Sequence, residues 1–124
     1  MRLADLSNRL RRERVIFALD VALQDLRQPA GTREVVKMIC ARLGTSEERL
    51  VGRIIVSLAP SIPQARQASE TFKRYGREMR PWIWSPKNWT GPQRAVELAW
   101  RGKLYDSAEA LAAAKAAADW DVEL

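Results

Sequence analysis

The chain contains no histidine. That absence removes the commonest general base and the commonest zinc ligand together, and it excludes Cys-His and Ser-His-Asp nucleophilic machinery. Cysteine occurs once, as Cys40, in the middle of an apolar helical pattern. One thiol cannot close an internal disulfide, which suits a reducing compartment, and its place in the pattern marks a small core residue. No apolar run approaches the roughly 20 residues that a membrane-spanning helix needs. The start, MRLADLSNRLRRER, lacks the apolar region of a signal peptide. A cytoplasmic location without membrane contact is therefore expected. Glycine-rich phosphate loops, metal-spaced ligand sets and carboxylate pairs framed by apolar residues are missing too. Glu47 and Glu48 adjoin, but at a helix start the macrodipole favours acids. The expectation is a non-enzyme with no cofactor and no metal.

What is present suits one globular domain over residues 1–124, with 47% hydrophobic and 29% charged residues. The formal net charge of +6 favours an anionic partner, nucleic acid first. Hydrophobic periodicity divides the chain into helices. Residues 4–26 read as a long first helix with Val15, Leu19, Ala22 and Leu26 in one stripe, and Ala18 and Leu23 beside it. Leu3, Leu10, Phe17 and Val21 fall on a second apolar sector. A helix apolar on two sectors is central to a bundle or shared with a second subunit, so homodimerisation is expected here. Arg9, Arg11, Arg12 and Arg14 cluster near its start, as phosphate contacts or as a solvated basic turn. Residues 28–31, QPAG, break it.

Residues 32–43 and 46–58 follow as two helices joined at Leu43-Gly44-Thr45-Ser46. Gly44 suits the left-handed conformation that closes a helix. Thr45 with Glu48 spells a capping box, or Ser46 caps directly, and Thr32 caps the helix before. The small Cys40, the Gly44 turn, polar Ser46 and apolar Leu50 make this pair resemble the helix-turn-helix of DNA-binding proteins. The resemblance implies that the second helix enters a DNA groove, with Ser46, Arg49, Arg53 and Ser57 as exposed candidates. Arg53 stands where that family carries a core residue, and Val51 and Ile55 stand where it faces DNA. Either the third helix is rotated relative to the family, or the match is accidental.

Residues 61–79 show apolar Ala65, Ala68, Phe72, Tyr75 and Met79 at spacings of three and four, which predicts a fourth helix. On its far side Arg66, Lys73, Arg77 and Arg80 would form a row about 21 Å long, with Arg74 close by. Such a row can follow a phosphate backbone. Residues 80–92 then bring Trp82, Trp84 and Trp89 among three prolines, with Lys87 and Arg80 interleaved. Three roles fit these indoles: a core clamp with the N–H bonded to a carbonyl, anchors for a protein partner, or a stacking platform for bases. A short β-wing is the other shape open to this segment, with Lys87 at a basic tip. Thr90, Pro92 and Gln93 signal a fifth helix to about residue 101, and Asp106 or Ser107 caps an Ala-rich sixth. Residues 70–103 hold eight bases against three acids, whereas residues 104–124 hold one base against five acids. The tail at 119–124 frays or folds back on the basic surface.

The expected fold is an all-α bundle of five or six helices with an irregular Trp/Pro-rich crossing. The expected function is binding of double-stranded DNA in transcriptional regulation, through Arg49, Arg53, Arg66, Lys73, Arg74, Arg77, Arg80 and Lys87. The alternative is a protein-interaction module, an adaptor or inhibitor, anchored by Trp82, Trp84 and Trp89.

Overall fold

The computed structural model describes residues 2–68, 72–74, 77–89, 99–100, 103–105 and 107–122. It corrects the all-α expectation. Among these residues are four α-helices and a three-stranded antiparallel sheet, with two further two-stranded ladders. The order is α1 (Asn8–Asp25), β1 (Ala30–Gly31), α2 (Thr32–Leu43), α3 (Glu48–Leu58), β2 (Ala65–Gln67), β3 (Phe72–Arg74), β4 (Arg77–Met79), β5 (Trp82–Trp84), β6 (Ala99–Trp100), β7 (Lys103–Leu104) and α4 (Ala108–Val122).

The helical half follows its periodicity. Val15, Ala18, Leu19, Ala22, Leu23 and Leu26 are all buried, as the stripe requires. They meet Val35, Val36, Ile39 and Cys40 of α2 and Val51, Ile54 and Ile55 of α3 in one core. α1 starts later than residue 4, however. A 3-10 turn covers Leu3–Asp5, and Ser7 caps α1 by accepting the Leu10 N–H at 3.3 Å. Arg11 explains the break. Its guanidinium donates to the carbonyls of Leu3, Ala4 and Leu6, each at 3.1 Å, so the chain ahead of α1 is folded back rather than continued.

The sheet has the order β1-β5-β2, with β5 between its two antiparallel neighbours. Trp82-Ile83-Trp84 explains this placement. Ile83 and Trp84 are both buried, on opposite faces of the strand, and a strand buried on both faces must find backbone partners on both edges. Ala30 and Gly31 supply one edge, opposite Trp84 and Ile83. Ala65, Arg66 and Gln67 supply the other, opposite Trp84, Ile83 and Trp82. Residues 65–67 are therefore strand, not the start of a fourth helix, and β3 and β4 pair antiparallel further along the same hairpin. The fifth helix fails at its described end, where Ala99–Trp100 pairs with Lys103–Leu104; residues 90–98 and 101 lie outside the described residues. The last helix forms as expected, with Ser107 accepting the Ala110 N–H at 3.1 Å. Its backbone is helical to Val122, and residues 123–124 lie outside the described residues.

Trp84 locks the two halves together. Its indole N–H donates to the Thr32 hydroxyl at 3.0 Å, and that hydroxyl donates in turn to the Trp82 carbonyl at 3.4 Å. Thr32 consequently does not cap α2, whose N-cap is Gly31. Removing that hydroxyl would strand a buried donor, at a cost of about 1–3 kcal/mol.

Candidate nucleic-acid interface

The hairpin of α2 and α3 closes as the Gly44 signal requires. Gly44 has φ 67° and its N–H reaches back to the α2 carbonyls. The connection is the four residues Gly44 to Glu47, because α3 begins at Glu48 rather than at residue 46. No capping box forms. Thr45 turns its hydroxyl to Glu47, accepting that residue's N–H at 3.2 Å and donating to its Oε1 at 2.9 Å. Glu47 in turn accepts the N–H groups of Leu3 and Ala4, at 2.6 and 3.0 Å. Burial pushes the Glu47 carboxyl up, but the hydrogen bonds from Thr45, Ala4 and Leu3 and the charge of Arg2 outweigh it and hold the group below its ordinary value.

Burial shows which side of α3 faces the core. Val51 and Ile55 are fully buried and Ile54 nearly so, while Leu50 is only half-buried. The outward face carries Arg49, Arg53, Val56 and Ser57, all exposed. Sequence spacing found both arginines but overlooked Val56 and the half-exposed Gly52. Positions 49, 52, 53 and 56 recur at three, four and seven, which is the signal for one helical face. Ser57 is already committed, its hydroxyl donating to the Ile54 carbonyl at 2.6 Å. Exposed Ser46 lies in the turn ahead of α3.

The expected row of Arg66, Lys73, Arg77 and Arg80 on one helix does not exist. Its members are spread over the β2–β5 hairpin, a wing that follows α3 after the short connection at residues 59–64. Arg66 lies on β2 and Arg77 on β4, both exposed. Arg80 is exposed too, with its Nε donating to the Ala68 carbonyl at 3.0 Å across the hairpin. By backbone register Lys73 stands opposite Glu78, and Arg74 opposite Arg77 at the hairpin's far end. The wing is thus built from β2, β3, β4 and β5, and of the segment 80–92 it takes the strand Trp82–Trp84.

Lys87 is drawn away from this surface. Its ammonium pairs with Asp20 of α1, and its N–H donates to the Leu23 carbonyl at 3.1 Å. Among the described residues the other ion pair is Arg9–Glu13 at 3.2 Å. Arg49, Arg53, Arg66 and Arg77 have no ion-pair partner among the described residues. The tryptophans divide in their roles. Trp84 is buried without residue and is a core clamp, bonded to a hydroxyl rather than a carbonyl, so it offers no surface to a partner or a base. Trp82 and Trp89 are half-buried, and Trp82 packs against the core.

Cys40 is buried, and desolvation together with the charges of Glu48 and Glu47 raises its thiol above the ordinary value. The protonated thiol is a poor nucleophile. Among the described residues no three or more acidic or cysteine side chains gather as metal ligands, and no helix is long and apolar enough to cross a membrane. Comparison with protein-family models, curated proteins and solved structures found no match to this chain.

Proposed function

We propose that the chain binds double-stranded DNA in transcriptional control, laying the outward face of α3 in the major groove and the wing along the flanking backbone. The observation that carries this reading is the pair Arg49 and Arg53, exposed one helical turn apart on the second helix of a Gly-turned hairpin and free of acidic partners among the described residues. Arginine forms bidentate hydrogen bonds to guanine edges or to phosphate. Exposed Val56 beside them suits the thymine methyl group.

The wing adds charge in the same stretch of chain. Arg66, Arg77 and Arg80 are exposed on it, and the register sets Arg74 against Arg77. Like charges directly opposite across a ladder oppose pairing. An anion held near that end, such as a phosphate, relieves the repulsion. The connection at residues 59–64 is only six residues long, and its 3-10 turn Ala59–Ser61 touches both α3 and β2, so the C-terminal end of α3 lies close to the start of the wing.

Salt-titrated fluorescence anisotropy on duplex, single-stranded and RNA probes tests the proposal. Duplex affinity should fall with salt along a log–log slope of about −4 to −5, if five cations meet phosphates. Arg53→Ala should lower affinity by about 10-fold or more and relax preference at one base position. Lys73→Ala with Arg77→Ala should weaken all duplexes alike and flatten the slope by about 2. No duplex binding at low salt, or affinity indifferent to Arg49→Ala and Arg53→Ala, overturns it.

A further inference from the structure

α1 carries a second apolar stripe that the fold leaves open. At about 100° per residue, Leu10, Phe17 and Val21 lie within about 40° of one another around the helix. Leu10 is 48% exposed and Phe17 63% exposed, although Phe17 is among the largest apolar side chains in the protein. Val21 is half-buried. Ile16 is exposed as well, but it stands about 100° away from Phe17 and belongs to another face. Arg42 of α2 sets its guanidinium carbon 5.9 Å from the Phe17 ring centre, which steadies the ring while leaving most of it in water. A steadied, exposed aromatic, with Leu10 two turns away beyond Glu13 and Arg14 and Val21 one turn on, is a docking surface in search of an occupant.

The charges along the same helix say which occupant fits. Residues 9–14 hold Arg9, Arg11, Arg12 and Arg14 against Glu13 alone, whereas residues 20–27 hold Asp20 and Asp25 against Arg27, with Lys87 set on Asp20. Arg11 is turned to the carbonyls ahead of α1, and Asp20 is paired with Lys87. Arg9, Arg12, Arg14 and Asp25 remain exposed. A parallel partner helix of the same sequence would set the basic end on the basic end. An antiparallel one avoids this and sets Arg9 and Arg14 opposite Asp25 and Asp20, on both sides of a twofold axis. A stripe with a strongly basic end and an end that carries its two carboxylates therefore matches a second copy only in the antiparallel sense.

We propose that a second copy of this chain covers this face, with its α1 antiparallel and Phe17 facing Phe17 of the second copy at the twofold axis. The interface does not depend on nucleic acid, and it goes beyond the proposed DNA contact by pairing two α3 faces in one particle.

The test uses the full chain in solution. Sedimentation or light scattering from about 1 to about 200 µM should show a monomer–dimer equilibrium. Phe17→Glu should raise the dissociation constant by about 30-fold or more while circular dichroism shows the fold intact, since Phe17 lies at the surface. Orientation is read by oxidative cross-linking, with the buried Cys40 as an internal thiol that should stay silent. In the antiparallel pairing residue 10 meets residue 24 of the second copy, while the two residues 10 stand about 21 Å apart. Leu10→Cys with Gln24→Cys should therefore cross-link two chains, and each single variant should not. A chain that stays monomeric throughout, a dimer untouched by Phe17→Glu, or cross-linking of Leu10→Cys alone overturns the proposal.

Discussion

Glu47 ties three parts of the chain through one carboxylate. Its oxygens accept the N–H groups of Leu3 and Ala4 and the Thr45 hydroxyl, which fixes the N-terminal turn to the α2–α3 connection. The same contacts favour the charged form, so the group's folded value lies below its ordinary one. Its contribution to stability is complete above the ordinary glutamate value of 4.5 and is lost as pH falls through the depressed folded value. Thermal unfolding of the wild type and of Glu47→Gln should consequently differ most near neutral pH, and the gap should close below about pH 4. A gap that is constant down to pH 3 would mean that the carboxylate charge is not what holds the N-terminal turn. The sequence displayed Glu47 only as a helix-start acid. Its long-range partners are 43 and 44 residues away and leave no local pattern. Arg49 and Arg53 were legible because exposure on a helix is periodic. Trp84 was legible as one of three candidate core clamps in a non-helical crossing, but its bond to Thr32, 52 residues distant, was not.

At the level of elements, the two kinds of period explain what could be read. α1, α2 and α3 repeat apolar residues over several turns, and their buried faces came out as spaced. The wing imitated a helix. Ala65, Ala68, Phe72, Tyr75 and Met79 match helical spacing, yet β5 needs a neighbour along its open edge and residues 65–67 provide it. Tertiary pairing overrode local pattern there. One local warning existed, Gly76 between Tyr75 and Arg77, since glycine within a helical pattern often marks a turn. Two glycines in the helical hairpin separate local strain from local freedom. Gly44 has φ 67° with nothing within 4 Å of an added Cβ, so Gly44→Ala meets backbone strain alone and should cost about 1 kcal/mol or more. Gly52 sits within α3, where an added Cβ would touch Val36 at an ordinary 3.7 Å. Gly52→Ala should therefore stabilise by about 0.5–1 kcal/mol through helix propensity. Urea unfolding of both variants reads the two signs side by side, and a shared sign would refute the assignment.

For the whole molecule, net charge of +6 hides a strong gradient. Residues 70–103, which include most of the wing, carry a surplus of five positive charges, and residues 104–124 carry a deficit of four. On the proposed DNA reading, positive potential around the wing would attract a duplex from a distance, and the acidic end would oppose that attraction wherever its field overlaps. The overlap is limited by screening, which acts over about 10 Å at 0.1 M salt and about 3 Å at 1 M. Neutralising Asp119→Asn, Asp121→Asn and Glu123→Gln together removes three carboxylates and takes the formal charge from +6 to +9. Through the long-range field alone, duplex affinity should rise about two- to fivefold at low salt. The gain should shrink steadily with added salt and vanish before 1 M. Paired anisotropy titrations of wild type and variant measure both behaviours. A gain that persists at high salt would mean that the acidic end touches the binding surface directly and is displaced by the duplex, because short contacts escape screening. No gain at low salt would place the acidic end beyond the reach of the wing, and the gradient would then have no part in DNA attraction.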